Sequence, residues 1–319
     1  MNTSDGEGSQ SIHHRVVISR GGSNDASSLA KTNRRGYNGD MHFPKFWTKA
    51  NEGDTSAWGW SDASVEDAMA KAVAQLQRIR DWLAGERGEE LEHYGYPGRP
   101  MREEVLREFQ DESGRAIAAV SRNSQGCLVL NTVNMLFVDV DVAEEPSGGG
   151  LLATLFGRKK EKPAGESVES RITAKVGAWL AANPQCGWRV YRTRAGFRLL
   201  ATHQPLEPKD PAVEQAFAAF EADPLYRGLC SRQECFRARL TPKHWRCNIP
   251  RPPARWPWGS EKAEAAFRKW EQRYLNAAKD FATCKLIGQF GLTEIHPSLA
   301  ELVEYHDKAT RTGLEMPLA

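Results

Sequence analysis

The sequence predicts an α+β protein: a ferredoxin- or RRM-like βαββαβ palm with an additional N-terminal β-hairpin and flanking helices. Three observations lead there. The hydrophobic period changes from helical steps before Gly85 to strand-like runs after Arg115. Segments of the two kinds then alternate as β-α-β-β-α-β across residues 134–240, the ferredoxin-like order. The first strand of that unit, MLFVDVDV (Met135 to Val142), is apolar except for two acids. With 319 residues, 40% hydrophobic and 26% charged, the chain can bury a core in one large domain or two small ones. Four stretches follow from the pattern: a disordered tail (1–35), a mostly helical segment packed on the palm (36–115), the palm core (116–243, with a flexible insertion at 143–166) and a C-terminal helical segment (244–319).

The tail is rich in Ser, Gly, Asn and charge, too polar to offset its ordering entropy, although Val16 to Ser19 could add an edge strand. Order is expected from about Met41. Ser64 is a helix N-cap with Asp67 three residues on, and apolar residues from Val65 to Leu83 recur at helical spacing until Gly85. Tyr94 to Pro100 reads as a turn and Arg102 to Phe109 as a short helix. AIAAVSR (Ala116 to Arg122) and CLVLNT (Cys127 to Thr132) form a hairpin across NSQG. Residues 143–166 are Gly-rich, then basic, then Pro-Gly; LLATLF inside them is a candidate transient helix or docking segment. Ser167 caps a helix to about Ala182, and Gly187 to His203 fold as a hairpin turning at Arg194–Ala195. Pro211 opens another helix, DPLY turns into a short helical piece, and CFRARL (Cys235 to Leu240) is the last strand of the unit. A Pro/Trp-rich loop (242–259) leads to helices from Ser260 to about Phe281 and from Pro297 to about Arg311.

Asp139 and Asp141, two apart on a strand, point to one face, while Leu136, Val138, Val140 and Val142 fill the other. Adjacent acids on an apolar strand repel and are costly to desolvate, and Mg²⁺ or Mn²⁺ would remove that cost. The alternative is a strand end that simply reaches solvent. If the first and third strands are neighbours, Arg198 lies near the acids, either to bind phosphate or as their salt-bridge partner. Gly196 permits close approach of a ligand or a neighbouring backbone. Arg192, Arg194, Arg237, Arg239 and Lys243 extend the phosphate-binding set, and Trp245 among the bases suits stacking on nucleic acid; the same residues could form a solvated face. Cys230, Cys235, His244 and Cys247 have zinc-like spacing, against the ordinary reading of buried thiols. His306–Asp307 is expected at the surface, and the Trp-rich pieces are expected to pack. A net charge of +2 points to no partner class. The lack of an apolar leader or an apolar run of membrane length leads to the expectation of a cytoplasmic protein with reduced or metal-bound thiols.

LFVDVD, YRTRAGFRLL and FRARLTPK together resemble the archaeo-eukaryotic primase superfamily, the primases and primase-polymerases, over about 110 residues. Asp139 and Asp141 match its hhhDhD strand. Arg198 stands where that family's hairpin carries His, and Glu234 is the nearest counterpart of its further acid. The resemblance implies a metal-dependent nucleotidyltransferase acting on nucleotides, DNA or RNA, with Asp139 and Asp141 as the catalytic metal ligands and Arg198 and Lys243 on the phosphates. If only the fold carries over, the implication is a non-catalytic nucleic-acid binder. A third class is an interaction protein in which acids and arginines merely pair.

Overall fold

The computed structural model describes residues 13–17, 41–85, 100–142 and 167–319. Apart from residues 13–17, the expected disordered tail lies outside the described residues, as do the 143–166 insertion and all but the end of the Tyr94–Pro100 turn. The protein is mixed α+β, with small antiparallel sheets and, among the described residues, six α-helices. It divides into two compact units.

The first unit comprises residues 1–37, 42–104 and 252–272. Its sheet has the order β1-β2-β3, from β1 (His13–Val17), β2 (Phe46–Glu52) and β3 (Thr55–Ser61). The tail therefore contributes a paired strand, from His13↔Asn51 to Val17↔Trp47. Helix α1 (Val65–Leu83) starts where expected, its Ser64 cap accepting from the Asp67 amide. Ala68, Ala72 and Leu76 form its buried stripe. Gly59 sets the closeness of that packing, because a Cβ there would sit 2.1 Å from the Ala68 carbonyl oxygen and 2.3 Å from the Ala72 nitrogen. Trp47 packs against Trp58, Trp60 and Trp256, and Arg102 stacks over Trp58 at 4.3 Å, so these tryptophans serve packing.

The second unit comprises residues 38–41, 105–251 and 273–319. One sheet has the order β10-β6-β5-β4, from β4 (Glu104–Gln110), β5 (Ala116–Arg122), β6 (Leu128–Thr132) and β10 (Phe236–Arg239). The other has the order β11-β8-β9-β7, from β7 (Phe137–Asp141), β8 (Gly187–Thr193), β9 (Gly196–Ala201) and β11 (Cys284–Gly291). Helix α2 (Val168–Ala182) and the segment after α3 (Pro211–Ala219) cover one face, where Trp179 and Phe220 meet Trp188 edge-on or tilted. Helix α6 (Pro297–Thr310) covers the opposite face, burying Leu299, Leu302, Val303 and His306. Helices α4 (Pro224–Gln233) and α5 (Glu261–Ala278) complete the described set.

Several expectations change. The segment read as a helix at Arg102 to Phe109 is the strand β4. The segments expected to be mostly helical contain β2, β3 and β4 at the N-terminal end and β11 at the C-terminal end. β10, which the usual 4-1-3-2 order of a ferredoxin-like sheet would put beside β7, ladders with β6 from Phe236↔Thr132 to Arg239↔Val129. The edge of β7 that it leaves is satisfied otherwise. The Tyr226 hydroxyl donates to the Phe137 carbonyl at 3.1 Å and accepts from the Arg237 amide at 3.3 Å, and the Asp223 amide donates to the Asp139 carbonyl at 2.9 Å. One phenol thus bridges two strands that share no ladder.

Candidate functional site

The local pattern puts Asp139 and Arg198 face to face. β7 and β9 pair antiparallel with Asp139↔Arg198 and Asp141↔Gly196 directly opposite. Gly196 is required for the approach of a neighbouring backbone: a Cβ would lie 2.0 Å from the Val140 carbonyl oxygen. Arg198 is 2% exposed. Its Nε donates to Asp139 Oδ1 at 3.0 Å, and its NH1 donates to the Arg239 carbonyl at 3.1 Å.

The same NH1 lies 3.3 Å from His306 Nε2. A guanidinium has no acceptor, so Nε2 accepts and the ring proton sits on Nδ1, 3.0 Å from Asp307 Oδ1. Tyr191 OH donates to that same oxygen at 2.8 Å, and Arg189 NH2 lies 2.7 Å from Oδ2. The result is a continuous polar network, Asp139–Arg198–His306–Asp307 with Tyr191 and Arg189, between the sheet and α6. His306 is fully buried between the Phe137 and Tyr191 rings, which overturns the expectation that His306–Asp307 is a surface pair. The helical pattern of α6 carried the missed signal, since Leu299, Leu302, Val303, His306 and Thr310 share one buried stripe.

Beyond the network, at the end of β7, Asp141 is exposed. Its carboxyl is pushed above the ordinary range by partial burial, then by the negative charges of Asp223 and Asp139, with Lys243 and Arg239 opposing. Asp223 is the acid that sequence reasoning missed. It caps α4, accepting from the Tyr226 amide at 2.7 Å, and the Asp-Pro dipeptide at a helix start was its available signal. Glu234 is instead the left-handed C-cap of α4 and ion-pairs with Lys209. Lys243 is pushed down by burial and by the neighbouring cations Arg239 and Arg246. Its ammonium lies 5.2 Å from the ring centre of Trp245, which is 49% exposed. Arg239 Nε is buried with no acceptor among the described residues.

The predicted phosphate-binding set is therefore split. Arg198, Arg239 and Lys243 stand near the acids. Arg192 pairs with Phe197 across β8–β9, so it faces away from Arg198; its guanidinium lies 4.7 Å over the Phe197 ring. Arg194 is exposed at the hairpin turn, and Arg237 NH1 donates to Gln233 at 3.0 Å. The zinc-type set does not converge. Burial raises the Cys230 thiol to about 12 and the Cys247 thiol to about 11, Cys235 is buried, and His244 Nδ1 lies 2.8 Å from the Ile249 carbonyl oxygen. Among the described residues no three His, Cys, Asp or Glu side chains meet with metal-ligand spacing. The described residues include all six cysteines, and none is in a disulfide. No described helix is long and apolar enough to cross a membrane. Comparison with protein families, with curated proteins and with solved structures found no match.

Proposed function

We propose that the second unit is a primase-like palm that carries out nucleotidyl or phosphoryl transfer with Mg²⁺ or Mn²⁺, on nucleotides or nucleic acid, at the outer end of β7. The observation that carries this reading is geometric: Asp139 and Asp141 share one face of β7 opposite Arg198 and Gly196, and the Asp223 amide bonds the Asp139 carbonyl at 2.9 Å, with the raised carboxyl of Asp141 in agreement. The strand order β8-β9-β7 is the 2-3-1 part of a ferredoxin-like sheet, and the Tyr226 bridge keeps β10 alongside β7. A hard dication suits carboxylate oxygens, and Mg²⁺ commonly takes only one or two of them and completes its shell with phosphate and water. Asp141 would hold the ion with Asp139 Oδ2 or Asp223. The ion would neutralise phosphate charge and lower the pKa of an attacking hydroxyl. Lys243 and Arg239 would bind the phosphate oxygens, and Arg198 holds Asp139 in position.

A thermal-shift titration with Mn²⁺, with and without a nucleoside triphosphate, tests the proposal. Stabilisation by nucleotide only when metal is present, abolished in Asp141→Asn, is the expected result. The Asp139–Arg198 ion pair favours a second reading, in which these residues are purely structural. No metal response in the wild type would leave that one standing. Salt-sensitive binding of DNA or RNA without metal would instead mark a non-catalytic nucleic-acid binder.

A further inference from the structure

On the sheet face opposite Arg198, at the same end as Asp141, the tip of the β8–β9 hairpin forms one wall of a cleft of about 600 Å³. Arg192, Thr193, Arg194 and Arg246 line it, with Phe281, Pro317, Leu318 and Ala319. We propose that this cleft binds a small phosphorylated molecule, a diphosphate bearing a ring or apolar substituent, without a metal ion.

Three observations carry the assignment. The first is charge: three guanidiniums line one cleft. Guanidinium forks match phosphate oxygens and stay charged at any physiological pH, so a diphosphate is the complementary group. The second is preorganisation. Arg192 NH1 donates to the Gly196 carbonyl at 2.7 Å while its guanidinium rests over the Phe197 ring, so little side-chain freedom remains to be lost on binding. The third is shape. The volume lies in the range of small-molecule sites, roughly 300–1,000 Å³, and Phe281 and Leu318 offer an apolar wall for a ring. A nucleic-acid strand, by contrast, needs a groove that continues past a single cleft of this size.

The cleft uses none of the acids at the end of β7, and its test excludes metal so that the two readings fail separately. ADP and inorganic pyrophosphate are titrated into the full chain in EDTA by isothermal calorimetry, with a single-stranded oligonucleotide as a third probe. Arg194 is exposed in the turn, so Arg194→Ala should leave the fold intact, which circular dichroism checks. ADP and pyrophosphate should bind the wild type, and Arg194→Ala should weaken both roughly tenfold, the value of one charged hydrogen bond. Arg194→Lys should recover part of the loss. The proposal is overturned if neither ADP nor pyrophosphate binds in EDTA, if Arg194→Ala binds as well as the wild type, or if only the oligonucleotide binds. It is also overturned if binding is lost in Asp141→Asn but kept in Arg194→Ala, since the ligand would then sit at the acids.

Discussion

Replacing Asp139 with Asn removes one charge from the centre of the buried network and keeps the size of the side chain. Arg198 would retain an acceptor at Nε and its NH1 bonds to the Arg239 carbonyl and His306, but it would be a buried cation without its carboxylate. A fully buried pair broken on one side costs about 3–5 kcal/mol, and an exposed pair less than about 1 kcal/mol. The side chain of Arg198 is 3% exposed and that of Asp139 is 32% exposed, which places this pair between those limits. The expected loss is about 2–3 kcal/mol at pH 7 without metal. Urea unfolding followed by hydrogen exchange of peptides from β7 and β9 reads it in the second unit. Arg198→Met should behave differently: it removes the cation together with its desolvation cost but leaves His306 Nε2 and the Arg239 carbonyl without a donor. A loss below about 0.5 kcal/mol in Asp139→Asn would show that water reaches the pair and would refute the network as a structural device.

Asp141→Asn should stabilise the metal-free protein near neutral pH. The folded carboxyl titrates above its ordinary value, so ionisation costs stability; that penalty is full above the folded pKa and is relieved as pH falls through it toward 3.8. The advantage of the variant over wild type should therefore vanish in acid, as thermal melts across pH would reveal. Tyr226→Phe strips the bridge from the Phe137 carbonyl and the Arg237 amide and should cost about 1–3 kcal/mol, with faster exchange at the Arg237 amide. Gly59→Ala forces a methyl into the α1 backbone and should lower the melting temperature of the first unit, by about 1–3 kcal/mol in stability.

Much of the fold was legible because its signals are local. The caps Ser64 and Ser167, the prolines opening α3 and α6, and the turn at Arg194–Ala195 each specify their own neighbourhood. Strands β2, β3, β4 and β11 fell in segments expected to be mostly helical, and β4 and β11 show why. Arg102 to Phe109 has apolar residues at spacings that suit either period, and its pairing with β5 is decided by tertiary structure. β11 is interrupted by Gly288 and a register shift between Leu286 and Gly288, so its alternation is broken in the middle of the strand. In the candidate site, Asp139, Asp141 and Arg198 could be put on one face from parity and strand order alone. Asp223 and His306 could not, because each reaches β7 or β9 from an element far along the chain.

The network also constrains any chemistry at this site. Every donor of Arg198 that the geometry accounts for is directed at Asp139, the Arg239 carbonyl or His306, and the residue is buried. Swinging Arg198 toward a phosphate would leave those partners unsatisfied in the core, a cost of about 1–3 kcal/mol for each. On the proposed reading, a phosphate would be bound by Lys243 and Arg239 and by the ion proposed at Asp141. Lys243 suits this role, because burial and two neighbouring cations make its own charge costly, and an anion would relieve that cost. Arg198, at the position where the resemblance would expect a His, is a buried and paired residue here. On the proposed reading the metal-holding carboxylate is therefore Asp141, with Asp139 kept in place by Arg198.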